Sequence, residues 1–410
     1  MCCCEPPIAL SYLRALLARR HDIEVYPADA LDRDVPPADV YFFRPSEILV
    51  PVDEVELFEI TAKRLGIRFW RIDGTPDDRG SKAIARFVVG ANAPLDTVLD
   101  RLARATRGRL RITPNHVLLT CPVWGFSPDG DPSVAADPPT VSADGGPWDV
   151  TVAVVDSGLP EGFAANALLA EVDVPPGDEE AWGYAGPSPV LTFPQGHGSF
   201  VAGVVRLAAP LAQVRSYLAA DQDGVTDEWY LGAQIDLALA DGASVVNLSL
   251  GATSRHDEPL MGLATLEEAA SVMGGPIVVA AAGNLDSDRP FWPAAESWVI
   301  GVAAVELAGD TGTPIRASFS DFGPWVDVCA VGVDVVSAYE AHPYRPQSDP
   351  SQLLHFDGAA VWSGTSFATP QVAGAVAALR ASDPTVSREQ ALERFRAGGP
   401  AVPGIGTFVA

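Results

Sequence analysis

Between residues 40 and 119, short apolar runs alternate with segments whose apolar residues recur at helical spacing. The predicted elements are strands at 40–43, 67–72 and 83–89, helices at 52–65 and 94–106, and a pair of strands within 110–119. Gly66 and Gly108 follow the two helices, where glycine commonly ends a helix. Alternating elements of this size predict a small α/β sandwich.

Residues 124–148 interrupt this pattern. The segment consists largely of Pro, Gly, Asp, Ser and Ala, which favour turns and bury little apolar surface. We therefore predict a linker at 124–148. It divides the chain into an N-terminal α/β domain at 1–123 and a larger domain at 149–410.

Continuous runs of apolar, often β-branched residues recur after the linker. Such runs are typical of parallel strands that are buried on both faces of a sheet. The runs lie at 150–155, 214–218, 245–250, 277–281, 299–304 and 326–330. Helical patterns at 230–239 and 265–273 lie between some of them. This alternation predicts an α/β fold with a doubly wound parallel sheet and helices on both faces.

The two predicted domains differ in charge. The chain of 410 residues has a formal net charge of −26, from 27 Lys and Arg against 53 Asp and Glu. Residues 1–123 hold 17 basic and 17 acidic residues, so all the excess acid lies after residue 123. A surface this acidic repels phosphate, which argues against nucleic-acid binding. No apolar run reaches the roughly 20 residues that span a bilayer, so we expect no membrane span.

The five cysteines fit neither a disulfide framework nor a zinc site, since three of them are adjacent at positions 2–4. A lipid or a metal on these three is the alternative to a reduced, frayed terminus. The first thirty residues show no basic segment followed by an apolar one, as a secretory signal has. The sequence therefore predicts a cytoplasmic protein, and export by another route is the alternative.

Two polar residues stand at the ends of predicted parallel strands. In sheets of this kind the active site lies beyond the carboxyl ends of the strands. Asp156 ends the run Val-Ala-Val-Val-Asp, and Asn284 follows Val-Val-Ala-Ala-Ala-Gly. Each has an ordinary alternative role, because Asp-Ser-Gly and Gly-Asn are also good turn sequences.

Two further polar residues stand before apolar helical segments. His197 lies between two glycines, which let other groups approach an imidazole closely. Ser366 lies at the start of a long helix of small residues, where main-chain N–H groups favour a developing negative charge. A solvated histidine and a helix-capping serine are the ordinary alternatives. Together with the strand-end residues they supply a carboxylate, an imidazole, a hydroxyl and an amide donor.

These motifs resemble those of the subtilisin-like serine peptidases. The likeness lies in Val-Val-Asp-Ser-Gly, in His-Gly-Ser-Phe-Val-Ala-Gly and in Gly-Thr-Ser-Phe-Ala-Thr-Pro-Gln-Val-Ala-Gly. The order Asp, His, Ser, with gaps of 41 and 169 residues, is of the family's kind. Val-Val-Asn-Leu-Ser-Leu-Gly at 245–251 resembles the family's strand that pairs with substrate. The resemblance covers about residues 150–410.

The resemblance implies a serine endopeptidase that cleaves peptide or protein substrates through an acyl-enzyme. Ser366 is then the nucleophile, His197 the general base and Asp156 the group that orients it. Asn284 then donates to the oxyanion. The segment that adds the substrate backbone as an extra strand comprises Ser249, Leu250 and Gly251.

Two other functions remain open from the sequence. One is a binding or regulatory protein on a silent peptidase scaffold, and the other is an esterase or transacylase with the same triad. The chemistry requires no cofactor. Structural Ca²⁺ is possible by resemblance, although no loop spaces oxygen ligands in a recognisable motif.

The resemblance also bears on the N-terminal domain. Members of the family often begin with an α/β propeptide that blocks the cleft, and residues 83–119 have a fitting β-α-β pattern. We therefore expect this part to be propeptide-like, with any processing in the linker. Residues 1–80 exceed what a propeptide needs, so a permanent partner-binding domain is the alternative.

Residues 221–229 contain four carboxylates, and no basic residue lies between Arg215 and Arg255. In the fold that the chain resembles, this stretch lines the subsites for residues before the scissile bond. A negative field there predicts a preference for Arg or Lys in the substrate.

Overall fold

The structure is a computed structural model. It describes residues 16–30, 40–72, 83–90, 93–120, 130–142, 145–176, 178 and 190–410. Two large sheets and two small ones organise these residues. None of the helices within these ranges has the length and apolar character needed to cross a membrane.

The first sheet is antiparallel and consists mainly of strands from the N-terminal residues. Its strands are β1 (Glu24–Tyr26), β2 (Tyr41–Pro51), β3 (Arg68–Arg71), β4 (Ile84–Gly90) and β5 (Thr113–Leu119). Helices α1 (Val55–Arg64) and α2 (Leu95–Thr106) pack with this sheet. Their apolar residues share one core with the sheet, in which Phe58, Phe87 and Leu99 are buried. We call the described residues up to 120 the N-terminal unit and those from 145 onwards the C-terminal unit.

The strand pair expected within 110–119 is wrong, because this stretch forms one strand, β5. Its hydrogen-bonding partners come from elsewhere in the chain. On one side it pairs with β2, and on the other with β10 (Val225–Asp227), which follows it by more than 100 residues. The first sheet thus takes a strand from beyond the predicted linker, and the division of the chain at 123 and 148 stays a prediction.

The second sheet is largely parallel, in the order β20-β21-β15-β13-β12-β11-β7-β9-β8, with β14 on β13. Its strands are β7 (Thr151–Asp156), β8 (Val172–Asp173), β9 (Gln213–Leu218), β11 (Val245–Leu248), β12 (Ile277–Ala281), β13 (Val299–Ala308), β14 (Thr313–Arg316), β15 (Val328–Val331), β20 (Ala401–Val402) and β21 (Gly406–Phe408). All six predicted parallel strands are present, with ends shifted by a few residues.

Helices cover both faces of this sheet. They are α3 (His197–Ala208), α4 (Glu228–Ala240), α5 (Ala264–Ala270), α6 (Thr365–Ser382) and α7 (Arg388–Gly398). Because side chains alternate along a strand, Val152 and Val154 of β7 join the core under α3 and α6, whereas Ala153 and Val155 join the core under α4. The predicted doubly wound α/β fold is confirmed.

Close helix packing on one face depends on glycine. A Cβ atom on Gly374 of α6 would lie 2.4 Å from the Cβ of Ala208 at the end of α3. The two helices therefore cross with their backbones in near contact. This crossing fixes the starts of both helices, which carry His197 and Ser366, relative to each other.

Part of the predicted linker packs against the C-terminal unit. Strand β6 (Ser133–Val134) pairs with β19 (Ala359–Trp362), which also pairs with β16 (Val335–Ala338). Asp131 accepts hydrogen bonds from the Tyr344 hydroxyl at 2.6 Å and from the Gln347 main chain at 2.9 Å. Tyr344 belongs to a two-stranded ribbon of β17 (Pro343–Tyr344) and β18 (Leu354–His355). Residues 121–129, which begin this connection, lie outside the described residues.

Candidate active site

Asp156 ends strand β7 and is fully buried. Its Oδ1 accepts the main-chain N–H of Ser157 at 2.7 Å and lies 2.7 Å from Nδ1 of His197. Its main-chain carbonyl accepts hydrogen bonds from Ala219 and Ala220 just after β9. Burying a carboxylate costs free energy unless hydrogen-bond donors surround it. Here the Ser157 N–H and the His197 ring both contact Oδ1 of Asp156.

His197 is the first residue of α3 and is also fully buried. Gly196, with φ of +88°, makes the turn before it in the left-handed region. A Cβ on Gly198 would lie 2.4 Å from the carbonyl oxygen of Gly158, so glycine lets the helix start approach the loop after Asp156. Because a carboxylate only accepts, the Nδ1 atom of His197 carries the proton, and Nε2 is the basic nitrogen.

Ser366 is the second residue of α6 and is buried. Its Oγ lies 3.1 Å from the carbonyl oxygen of Thr120 and 3.2 Å from that of Ser249. The next residue, Phe367, contacts the imidazole of His197 with ring centroids 5.4 Å apart. The starts of α6 and α3, which carry Ser366 and His197, therefore lie next to each other, and their shared catalytic role stays a prediction.

Asn284 follows β12, and its Oδ1 accepts the main-chain N–H of Thr365 at 2.9 Å and its hydroxyl at 2.8 Å. With the carbonyl end held in this way, the NH₂ end of the amide is left to donate elsewhere. Thr365 precedes Ser366, so Asn284 is tied directly to the start of α6. The sequence motif included Thr365 but did not indicate this role.

Asp321 holds the loop that carries Asn284, and sequence reasoning missed it. Its Oδ1 accepts the main-chain N–H groups of Leu285 at 2.7 Å and Ser287 at 2.9 Å. Burial raises the pKa of Asp321 well above its usual range. The signal that could have found it is weak, because one aspartate among many in an acidic chain carries no spacing pattern.

The cleft between residues 249–251 and 224–227 contains strand β5 of the same chain. Leu119 and Gly251 exchange both main-chain hydrogen bonds, at 3.0 and 3.1 Å. Thr120 donates its main-chain N–H to Gly224 at 2.9 Å. Leu250, from the expected substrate-pairing segment, lies in the same apolar cluster as Leu118. The resemblance had marked residues 83–119 as propeptide-like, and the strand that enters the cleft is the last one of that segment.

The carboxylates of residues 221–229 meet basic side chains of the N-terminal residues. The ion pairs are Arg20 with Asp221 at 2.6 Å, Arg19 with Asp223 at 2.9 Å and Arg44 with Asp227 at 2.7 Å. The fourth carboxylate, that of Glu228, contacts His116. The preference for Arg or Lys in a substrate stays a prediction, and the chain itself places arginines at these acids.

No group of three or more His, Cys, Asp or Glu side chains in the described ranges is arranged to hold a metal ion. Structural Ca²⁺ stays a prediction from the resemblance, since main-chain and amide carbonyl oxygens also bind this ion.

A buried carboxyl, that of Glu340, lies behind the helix that carries His197. The Ser199 hydroxyl donates to it, and burial raises the pKa of Glu340 to about 7. Glu340 lines a cavity of about 400 Å³ together with the exposed Glu161. From about pH 4.5, the ordinary pKa, to about pH 7, the folded protein holds a proton that the unfolded chain releases. The contribution of the Glu340 carboxyl to the free energy of unfolding therefore falls as pH rises through that window.

We expect Glu340→Gln to remove this part of the pH dependence. The variant should be more stable than the wild type at pH 8, by up to about 3 kcal/mol, and close to it at pH 4.5. Denaturant unfolding at both pH values measures the difference, with Glu161→Gln as the control at the same cavity. A variant that is less stable than the wild type at pH 8 would contradict the raised pKa.

A family model described as the subtilase family matches residues 148–397. The chain belongs to the subtilase family. The match includes every strand of the second sheet except β20 and β21. It also contains the candidate residues Asp156, His197, Asn284 and Ser366.

Curated subtilase relatives align with about half of the chain. A thermostable alkaline protease of Halalkalibacterium halodurans is 31% identical over 227 residues, which are 52% of this chain and 55% of that protein. A thermophilic serine proteinase of a Bacillus species, strain AK1, is 34% identical over 226 residues, which are 52% of this chain and 49% of that protein. The chain thus spans about half the length of the curated relatives that it matches.

Among solved structures, fervidolysin from Fervidobacterium pennivorans, described as a keratinolytic enzyme related to subtilisin, covers more of the fold. The superposition includes 90% of this chain and 60% of fervidolysin, with a TM-score of 0.60 and 20% sequence identity. This likeness supports the fold over both sheets.

Proposed function

We propose that this subtilase is a serine endopeptidase whose catalytic residues are Asp156, His197 and Ser366. One observation carries the proposal. The cleft contains an extended peptide strand, and the carbonyl of Thr120 at the end of that strand lies 3.1 Å from the Ser366 hydroxyl. The buried hydrogen bond between Asp156 and His197 supports it.

The proposed reaction proceeds in two halves. The Oγ atom of Ser366 attacks the scissile carbonyl carbon while Nε2 of His197 takes its proton. His197 then gives that proton to the leaving amine, which departs and leaves an acyl ester on Ser366. A water molecule, deprotonated by His197, cleaves the ester and restores the serine. Asp156 keeps the imidazole in the tautomer that makes Nε2 the base.

The proposal assigns two donors to the oxyanion. They are the side-chain NH₂ of Asn284 and the main-chain N–H of Ser366, which lies in the first turn of α6 and has no helical partner. Thr365 fixes the other end of the Asn284 amide, so the donor is already oriented before substrate binds. Such preorganisation stabilises the transition state without reorganisation during the reaction.

A fluorophosphonate probe and two matched substrates separate the alternatives. Labelling that disappears in Ser366→Ala supports a working nucleophile and counts against a silent scaffold. Turnover of a peptide amide, and not only of the corresponding ester, supports a peptidase over an esterase or transacylase. Labelling with no amide turnover would contradict the proposal.

We also propose that the N-terminal unit inhibits the enzyme as a propeptide. Strand β5 fills the cleft in a substrate-like direction, with Leu119 paired to Gly251 and Thr120 next to Ser366. Residues 130–142 are held on the C-terminal unit through Asp131 and β6. Cleavage that releases β5 without disturbing this contact falls between Thr120 and Gly130.

Processing of this kind should depend on Ser366. Intact mass and N-terminal sequencing of the wild type should show a fragment that begins within residues 121–130, while Ser366→Ala should keep all 410 residues. Ser382→Ala, at the exposed end of the same helix, should process normally. A wild-type chain that stays full-length and is fully active would show instead that the N-terminal unit is a permanent partner-binding domain.

A further inference from the structure

A second buried polar contact lies along β5, away from the proposed catalytic residues. His116 of β5 is 1% exposed and Glu228, the first residue of α4, is fully buried. Glu228 Oε1 accepts the main-chain N–H of His116 at 3.3 Å and contacts its Nδ1. On the other side of the ring, Nε2 accepts the main-chain N–H of Arg255 at 2.9 Å.

The contact with Glu228 requires a donor at Nδ1, and the contact with the Arg255 N–H requires an acceptor at Nε2 of the same ring. The Glu228 carboxylate also accepts the Gly262 main-chain N–H at 2.8 Å and lies at a helix start, where negative charge is favoured. A carboxylate can only accept, and a main-chain N–H can only donate. A neutral imidazole satisfies both at once. Lysine and arginine side chains carry donors alone and would face the Arg255 N–H with no acceptor.

The groups that hydrogen-bond the two ring nitrogens most closely, Glu228 and the Arg255 N–H, belong to the C-terminal unit, whereas Tyr41 and Thr113 of the N-terminal unit also contact the imidazole. The Gly262 N–H that donates to Glu228 lies in the same unit as Glu228, and the Arg255 N–H is a main-chain group. His116 precedes Thr120 by four residues on one strand, about 13 Å at the usual rise of a strand. Any peptide that replaces β5 in the same register places its own residue between Glu228 and Arg255.

We infer that Glu228 and the Arg255 main-chain N–H form a subsite that selects a neutral histidine in the substrate. The position selected lies four residues before the residue whose carbonyl meets Ser366. The ligand of this subsite is an extended peptide, and in the structure the subsite is occupied by His116 of β5. The inference rests on the proposed peptidase function, and it differs from the general attraction of the acidic segment for basic residues.

The test uses peptides with the sequence of residues 115–120, Asn-His-Val-Leu-Leu-Thr, extended beyond the threonine and carrying a fluorogenic pair. The histidine is replaced by alanine, glutamine, lysine or arginine, and a control peptide carries it one position later. The enzyme is the wild-type protein expressed from the full-length chain, with the extent of its processing recorded by intact mass. An occupant of the cleft slows all peptides equally, so ratios of kcat/KM remain valid measures of selectivity.

We expect the histidine peptide to exceed the alanine, lysine and arginine peptides by about tenfold, the usual worth of a hydrogen bond to a charged group. Glu228→Gln should reduce that ratio, and Glu161→Gln, which changes an exposed carboxyl at the cavity beside Glu340, should leave it unchanged. Equal rates for histidine and alanine, or faster cleavage of lysine and arginine peptides, would overturn the subsite.

The same peptides bound to full-length Ser366→Ala give a readout that needs no catalysis. Competition against a labelled histidine peptide should show the same order of affinities. If no peptide is cleaved but the order of affinities holds, the peptidase proposal fails and the subsite stands. If cleavage occurs without histidine preference in either assay, the subsite fails and the peptidase proposal stands.

Discussion

Ser366→Ala is expected to lower kcat for peptide hydrolysis by about 10⁶-fold, the order found when the nucleophile of a subtilisin is removed. The expected loss is this large because, in the proposed mechanism, the Ser366 hydroxyl forms the acyl-enzyme and Asp156 and His197 act through it. His197→Ala should cost about as much, since the three residues work as a unit. Asp156→Asn should cost about 10⁴-fold, because an amide turns the imidazole to the wrong tautomer.

Ser382→Ala is the matched control, since it removes a serine from the exposed end of the same helix. It should keep the wild-type rate. Initial rates with a fluorogenic peptide, together with circular dichroism to establish folding, make the comparison. A Ser366→Ala enzyme that keeps more than about a tenth of the wild-type rate would refute the assignment.

The second large effect concerns the oxyanion. Replacing Asn284 should lower kcat by about 10²–10³-fold with little change in KM, because the donor acts mainly in the transition state. Asn284→Ala removes both ends of the amide. Asn284→Asp keeps an acceptor for Thr365 but exchanges the donor for a negative charge, so a loss in kcat at least as large as that of Asn284→Ala would assign the effect to the oxyanion and not to the contact with Thr365.

Asp286→Asn provides the control on the same loop. Asp286 is exposed and pairs with Arg316 at 2.7 Å, and exposed pairs contribute little. Its kcat should stay within about twofold of the wild type. A loss in kcat below about threefold for Asn284→Ala would remove Asn284 from the oxyanion site and leave the main-chain N–H of Ser366 as the proposed donor.

Charged side chains of opposite sign meet where the N-terminal residues contact residues 221–229 and Arg255. The acids of residues 221–229 would repel one another if left alone at the surface. Arginines of the N-terminal unit meet three of them, and Arg255 of the C-terminal unit in turn pairs with Asp96 and Asp100. The charges are complementary across the contact, which favours correct docking of β5 over other orientations.

The sequence by itself predicted the elements and the chemistry that depend on local pattern. Continuous apolar runs predicted the parallel strands, because a strand buried on both faces has no polar side. The ends of those strands predicted where Asp156 and Asn284 lie, since in a doubly wound sheet the carboxyl ends share one edge. Motif order and spacing then indicated the family, which the family match confirmed.

Only the tertiary structure decided which strand of the propeptide-like segment occupies the cleft, and in which register. β5 reads as an ordinary apolar strand, and its periodicity carries no information about whether its partner is β2, β10 or Gly251. His116 and Glu228 are 112 residues apart and match no motif, so their contact follows from the register of one strand against the start of one helix. Such contacts depend on which sheet edges meet in space, and a one-residue slip would turn His116 to the opposite face.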